Sequence, residues 1–152
     1  MTFEKTPRGS YGQKVPPGIT TLIKWLNPLM TRRARGGHMI GINVLVLTTI
    51  GAKTGQRRET VLGYVPDGEG RWLIVATVGG SAANPAWYHN LAAHPEQVEI
   101  EIGQKKVAVT ARQLSGAERE AAWQQAVTAI PRFAGFAAKT DRQIPVIRLT
   151  TA

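Results

Sequence analysis

The sequence predicts a mostly β, α+β fold: a small antiparallel barrel of six strands with flanking helices. Three observations carry this. Short runs rich in β-branched residues recur at 42–49, 59–65, 71–77, 98–102, 107–111 and 144–149. Turn residues separate several of these runs at hairpin distance, which suits antiparallel pairing and leaves no room for parallel crossovers. Helical periodicity is confined to three places, near the start, in the middle and late in the chain.

Taken in order, residues 1–16 are polar and broken by Pro7, Gly9, Gly12 and Pro16, and they read as a flexible tail. Residues 17–152 form a single domain with no internal repeat. It opens with an amphipathic helix at 17–35, in which Ile19, Leu22, Ile23, Leu26, Leu29 and Met30 share a face. Pro28 should kink it, and Gly36-Gly37 stop it after Arg32, Arg33 and Arg35. The first two strands flank a turn at Gly51–Arg58, and Pro66-Asp67-Gly68-Glu69-Gly70 makes the hairpin to the third.

Gly79-Gly80-Ser81 is a break. Asn84 is placed as an N-cap with Pro85 at the first helical position, starting a helix that ends at His94-Pro95. Val98-Glu99-Ile100-Glu101-Ile102 alternates as a half-buried strand, with Glu99 and Glu101 on an exposed face. Gly103-Gln104 turns it into the next strand. Ser115 and Glu118 have capping-box spacing, and the helix behind them puts Ala122, Trp123, Ala126, Val127 and Ile130 on one side. Pro131 breaks it, Phe133 and Phe136 lie on a short second helix, and Ile144–Leu149 is the last strand.

Composition narrows the function. No stretch of 18 apolar residues could span a membrane, and no apolar leader segment follows the start. The absence of cysteine excludes disulfides, thiolate catalysis and thiolate metal sites, and suits a cytoplasmic protein. The net charge is +9. Much of it comes from residues 1–41, where Lys5, Arg8, Lys14, Lys24, Arg32, Arg33 and Arg35 face a single acid, Glu4. Such a chain favours anionic partners. Nucleic acid is the weakest of them, because binding single strands wants exposed aromatics between the cations, and the aromatics from Tyr64 to Phe136 read as internal.

The most informative segment is Gly51-Ala52-Lys53-Thr54-Gly55-Gln56-Arg57-Arg58. Glycines let backbone amides converge on an anion, and Lys53, Arg57 and Arg58 add full charges around it. It is not a Walker A loop, since Ala52 precedes Lys53 and a strand follows. The plainer reading is a solvated basic turn. His89 and His94 diverge on a helix, so no metal site is expected, and no Gly-x-Ser-x-Gly elbow anchors a hydrolase. With no catalytic constellation of its own, an enzyme of this sequence would rely on a cofactor. Trp87 and Tyr88 follow the Gly79-Gly80 break and read either as core or as a wall for a planar ring.

The run from Thr48 to Arg58, then Gly79-Gly80, then Asn84-Pro85-Ala86-Trp87-Tyr88-His89-Asn90-Leu91, closely resembles the deazaflavin-dependent nitroreductase family. These are small split β-barrel quinone and nitro reductases, and the similarity extends over most of residues 17–149, including Thr140-Asp141-Arg142. The resemblance implies a six-stranded split barrel. It also implies coenzyme F-420, a deazaflavin with a phosphate and an oligoglutamate tail, with FMN as the alternative cofactor. It implies that Ala52, Lys53, Thr54, Gly55, Gln56, Arg57 and Arg58 hold the phosphate and tail, and that Val46, Leu47 and Thr48 lie beside the cofactor. Val75, Ala76, Thr77 and Val78 would run along the ring, and Ala86, Trp87, Tyr88, His89 and Asn90 would close over it.

The expected reaction is hydride transfer from reduced cofactor to a quinone such as menaquinone or to a nitroaromatic, the proton coming from Tyr88 or solvent. The acceptor pocket would use Thr77, Val78, Ile130, Phe133 and Phe136. A well-known nitroreductase of the family has a lysine at the Val78 position and tyrosines where this chain has Ile130, Phe133 and Phe136. This departure also leaves open a deazaflavin carrier with little turnover. The basic amphipathic helix at 17–35 adds possible peripheral contact with the anionic inner face of the membrane.

Overall fold

The structure, a computed structural model, describes residues 9, 38–39, 42–76, 84–138 and 143–152. The expected helix at 17–35, the tail apart from Gly9, and Thr77, Val78, Gly79-Gly80 and Thr140–Arg142 lie outside the described residues. The elements in chain order are β1 (His38–Met39), β2 (Ile42–Ile50), β3 (Arg57–Gly63), β4 (Val65–Pro66), β5 (Arg71–Val75), α1 (Ala86–Ala93), β6 (Val98–Ile102), β7 (Lys105–Gln113), α2 (Gly116–Ala129), α3 (Arg132–Ala137) and β8 (Val146–Thr151).

All strand pairs among these are antiparallel. The hydrogen-bonded path runs β2-β6-β7-β8-β5-β4. β3 pairs with the other edge of β2, and only Tyr64 separates β3 from β4. Residues 57–66 thus act as one bent strand whose first part pairs with β2 and whose last part pairs with β5. This bend closes the sheet into a barrel of six long strands, with β1 and β4 as two-residue additions. Closure hides most of the backbone edges that would otherwise invite pairing with another chain.

The pleat sorts the side chains. Leu45, Leu47, Ile74, Ile100, Val109, Ile147 and Leu149 point inward and are buried together with Tyr88 and Leu91 of α1. Each fully buried aliphatic side chain of this size contributes about 1.5–3 kcal/mol before entropy is subtracted. Leu73, Val75 and Val146 point outward and are covered by Ala122, Ala126, Ile130 and Phe133 of the α2–α3 region. Val44 and Val46 make a third buried patch on the outer face, against Val61.

Strand direction alternates round the barrel, so β2 and β5 finish at the same end. β3, β6 and β8 start there. The opposite end holds the hairpin at 67–70 and the Gly103-Gln104 turn. Both central residues of that turn have positive φ, 55° and 69°, the mirror-image turn that matches strand twist.

Several sequence expectations are corrected. Helix α1 begins one residue later than expected, with Pro85 in the N-cap position. Ser115 is the N-cap of α2 but makes no side-chain cap bond. Glu118 does not reach back as a capping box would, because two arginines claim it. Its carboxylate accepts from Arg112 Nη1 and Nη2 at 2.9 Å each and from Arg148 Nη1 at 2.9 Å. Arg112 and Arg148 are opposite each other on β7 and β8, so Glu118 offsets a like-charge pair and ties α2 to the barrel. Arg148 Nε also donates to Asp67 at 2.6 Å. Glu101, expected on an exposed face, is 7% exposed. It shares the outer face with Val46, its register partner on β2, next to the buried Val44–Val46 patch, and so lies where solvent is excluded.

Candidate functional site

Most of the described residues expected to bind cofactor gather at one end of the barrel. β2 delivers Thr48 and the Gly51–Gln56 turn there, β5 delivers Val75 and Ala76, and α1 lies across the same end. The turn is exposed from Ala52 to Arg58. Gly51 N–H donates to the Gln56 carbonyl at 2.8 Å and Gly55 N–H to the Gly51 carbonyl at 2.9 Å. Gln56 N–H donates to Thr54 Oγ1 at 3.3 Å. Gly55 has φ 69°, a left-handed conformation that glycine adopts without steric cost. A Cβ on Gly51 would lie 2.5 Å from Thr54 Oγ1. The glycine amides therefore close the turn and do not point at a ligand. Among the described residues, the donors left for an anion include the Lys53 and Thr54 amides, the Thr54 hydroxyl, the Gln56 side-chain amide and the three cationic side chains.

The pleat also splits two of those cations. Arg57 pairs in register with Ile50 and lies on the outer face, where Nη2 approaches Glu99 Oε2 at 3.4 Å. That contact is long and exposed and contributes little. Arg58 pairs with Thr49 and belongs to the inward row, exposed at the rim of the barrel.

Three hydrogen bonds, from two side chains of α1, hold the helix over the rim. Tyr88 donates its hydroxyl to Gln113 Oε1 at 2.8 Å. Asn90 donates from Nδ2 to Thr49 Oγ1 at 3.1 Å and accepts at Oδ1 from the Ala52 N–H at 2.9 Å. Asn90 thus ties the helix to both β2 and the turn. Sequence reasoning placed it over the ring and missed this role, for which no local spacing gives a signal. Tyr88 is fully buried, so the proton source expected there is a core phenol committed to Gln113. Its ring meets His89 edge-on at 5.5 Å, and His89 is half-buried.

Leu47, Ala76 and Trp87 belong to the barrel core, while Val46 and Thr48 are buried on the outer face. Ala86 is exposed. Ile130 and Phe133 are buried against the outer face of β5 and β8, together with Val75, and Phe136 is half-buried beside them. Val75 therefore joins the expected acceptor group to the barrel end that carries the turn. Among the described residues no group of three or more His, Asp or Glu could hold a metal ion.

This donor set fits a polyanionic tail: three cations and two free amides on an exposed turn, fixed to a helix that covers an apolar core. The sequence model of a family described as F420H(2)-dependent quinone reductase matches residues 27–151. A relative named F420H(2)-dependent quinone reductase, from Mycobacterium tuberculosis strain H37Rv, is 43% identical over 109 residues, which is 70% of this chain and 72% of that protein. A solved structure described as an F420-H2 dependent reductase has a TM-score of 0.63 at 41% identity, covering 70% of this chain and 92% of its own. A second, described as a domain-swapped dimer, has a TM-score of 0.64 at 36% identity, covering 84% and 98%.

Proposed function

The chain belongs to the F420H(2)-dependent quinone reductase family, and we propose that it carries out this reaction at the barrel end where the Gly51–Arg58 turn meets α1. It is an oxidoreductase that uses coenzyme F-420, and its antiparallel barrel has eight strands, six of them long, with flanking helices. When bound, the deazaflavin supplies the hydride. The residues of this chain bind, orient and shield.

Lys53, Arg58 and the amides of Lys53 and Thr54 would hold the phosphate and the first glutamates, with Arg57 farther out beside Glu99. Thr48, Val75 and the start of α1 would border the ring. Val46, Leu47, Ala76, Trp87 and Tyr88 would act from behind, by fixing the wall. On the acceptor side Phe136 would offer its ring, with Ile130 and Phe133 packed beneath it. This surface has few hydrogen-bond donors, which suits a flat apolar quinone such as menaquinone better than a polar nitroimidazole. Solvent would supply the proton, since Tyr88 is buried and already bonded.

The observation that carries this reading is the exposed cationic turn tied by Asn90 to the helix over the barrel core. A lipid-soluble acceptor would bring the enzyme to the inner face of an anionic membrane, a role favoured by the net charge of +9. Among the described residues no helix is long and apolar enough to span one. Titration with coenzyme F-420 and with FMN, followed by ligand fluorescence, tests the site. The expected result is tight, salt-sensitive binding of the deazaflavin and weak binding of FMN, which lacks the glutamate tail. Equal affinity for both would remove the tail from recognition.

A further inference from the structure

We infer that Asn90 is a positioning residue for anion capture at the Gly51–Gln56 turn and is not itself a cofactor ligand. This inference rests on the deazaflavin site proposed above and adds how its two halves are held in register.

Asn90 is 8% exposed, and its side-chain amide is used at both ends. The oxygen accepts from the Ala52 N–H at 2.9 Å and the nitrogen donates to Thr49 Oγ1 at 3.1 Å. The orientation of the amide follows from this, because only the oxygen can accept from a backbone N–H. One N–H and one lone pair of the amide remain, on a side chain that offers a ligand only 8% of its surface.

The contact with Ala52 is special in where it acts. The other hydrogen bonds of the turn are internal to residues 51–56. Beyond its two strands, the Asn90–Ala52 bond is the tie of the turn to the rest of the fold among the described residues. It fixes the Gly51–Ala52 peptide plane immediately before Lys53. The next two amides, of Lys53 and Thr54, are among the donors the turn leaves free. Without the tie, the strands and the core of α1 persist through Leu91 and the Tyr88–Gln113 bond. Ala52 is exposed, so its amide would find water and the fold would lose little. What would be lost is the fixed aim of the anion donors toward a ring held under α1.

The test compares two probes on the intact protein: coenzyme F-420 with its phosphate and glutamate tail, and the same deazaflavin truncated to its phosphate-free core. Variants are Asn90→Ala and Thr49→Val. Asn90→Ala should bind the full cofactor about tenfold more weakly, the worth of one or two neutral hydrogen bonds. Its affinity for the truncated core should stay within about twofold of wild type, and Ala52 amide exchange should quicken while that of Leu91 does not.

Thr49→Val keeps the Ala52 bond and should give a smaller loss, again confined to the full cofactor. It carries the test if Asn90→Ala does not fold. Equal loss for both probes would make Asn90 a ring ligand or a general support and overturn the inference, as would no loss for either. If wild type binds neither probe, the deazaflavin reading fails and this inference falls with it. If wild type binds both and the variants match it, only the inference fails.

Discussion

Replacement of Arg148 by Met should lower stability strongly while leaving the cofactor site alone. Arg148 Nε lies 2.6 Å from Asp67 Oδ2, with the two side chains 17% and 12% exposed. Arg148 Nη1 also reaches Glu118 at 2.9 Å. Exposed ion pairs contribute about 0.2–1 kcal/mol, whereas removing one partner of a buried pair costs about 3–5 kcal/mol, because a charge is left desolvated and unpaired. A pair this close to buried should fall between, at about 2–3 kcal/mol. For a domain of this size that is a drop in Tm of about 5–10 °C.

Thermal unfolding by circular dichroism measures the drop. Asp67→Asn should cost less, since an amide tolerates burial better than a lone carboxylate. The double variant should cost less than the sum of the two. A Tm within about 1–2 °C of wild type for Arg148→Met would put this pair among ordinary surface contacts and rule out a desolvated charge at Asp67.

Other outcomes follow from the same structure. Lys53→Ala and Arg58→Ala should each weaken coenzyme F-420 binding about tenfold, with a shallower salt dependence by titration; unchanged affinity in both would take the turn out of the site. Arg112 first, and then Arg148, hold the Glu118 carboxyl well below its ordinary value, at about 2. Its stabilising effect is therefore full above pH 4.5 and fades as pH falls toward 2, so the Tm gap between wild type and Glu118→Gln should close over that range, and a constant gap would argue against the pairing. Gln104 has φ 69°, where L side chains are strained. Gln104→Gly should therefore raise stability in denaturant unfolding by about 0.5–1 kcal/mol, and a lower midpoint would show that its side chain matters more than its backbone.

Much of the fold was legible because its signals are local. The alternation Val98-Glu99-Ile100-Glu101-Ile102 marks a strand whichever way the chain turns, and α1 is legible to within one residue at its start. Barrel closure was less visible, since it depends on Tyr64 letting one strand change partners. Burial of Glu101 could not be read from alternation, which sorts two faces but does not say what covers each. The capping box at Ser115 failed for a similar reason: Arg112 and Arg148, brought together only by sheet register, outcompete the backbone for Glu118. At the candidate site the cationic turn was visible as composition. The splitting of Arg57 from Arg58 needed the strand to start at Arg57, and the Asn90 tie spans 38 residues, beyond any local pattern.

The reaction proposed for this barrel end is hydride transfer from reduced coenzyme F-420 to a flat quinone. It is tested most directly by following oxidation of the reduced cofactor by absorbance under anaerobic conditions, with a menaquinone analogue and a bicyclic nitroimidazole as alternative acceptors. The expected result is saturable turnover with the quinone and a kcat/KM well above that for the nitroimidazole. No turnover with any quinone at saturating reduced cofactor, or a nitroimidazole rate equal to or above the quinone rate, would contradict it.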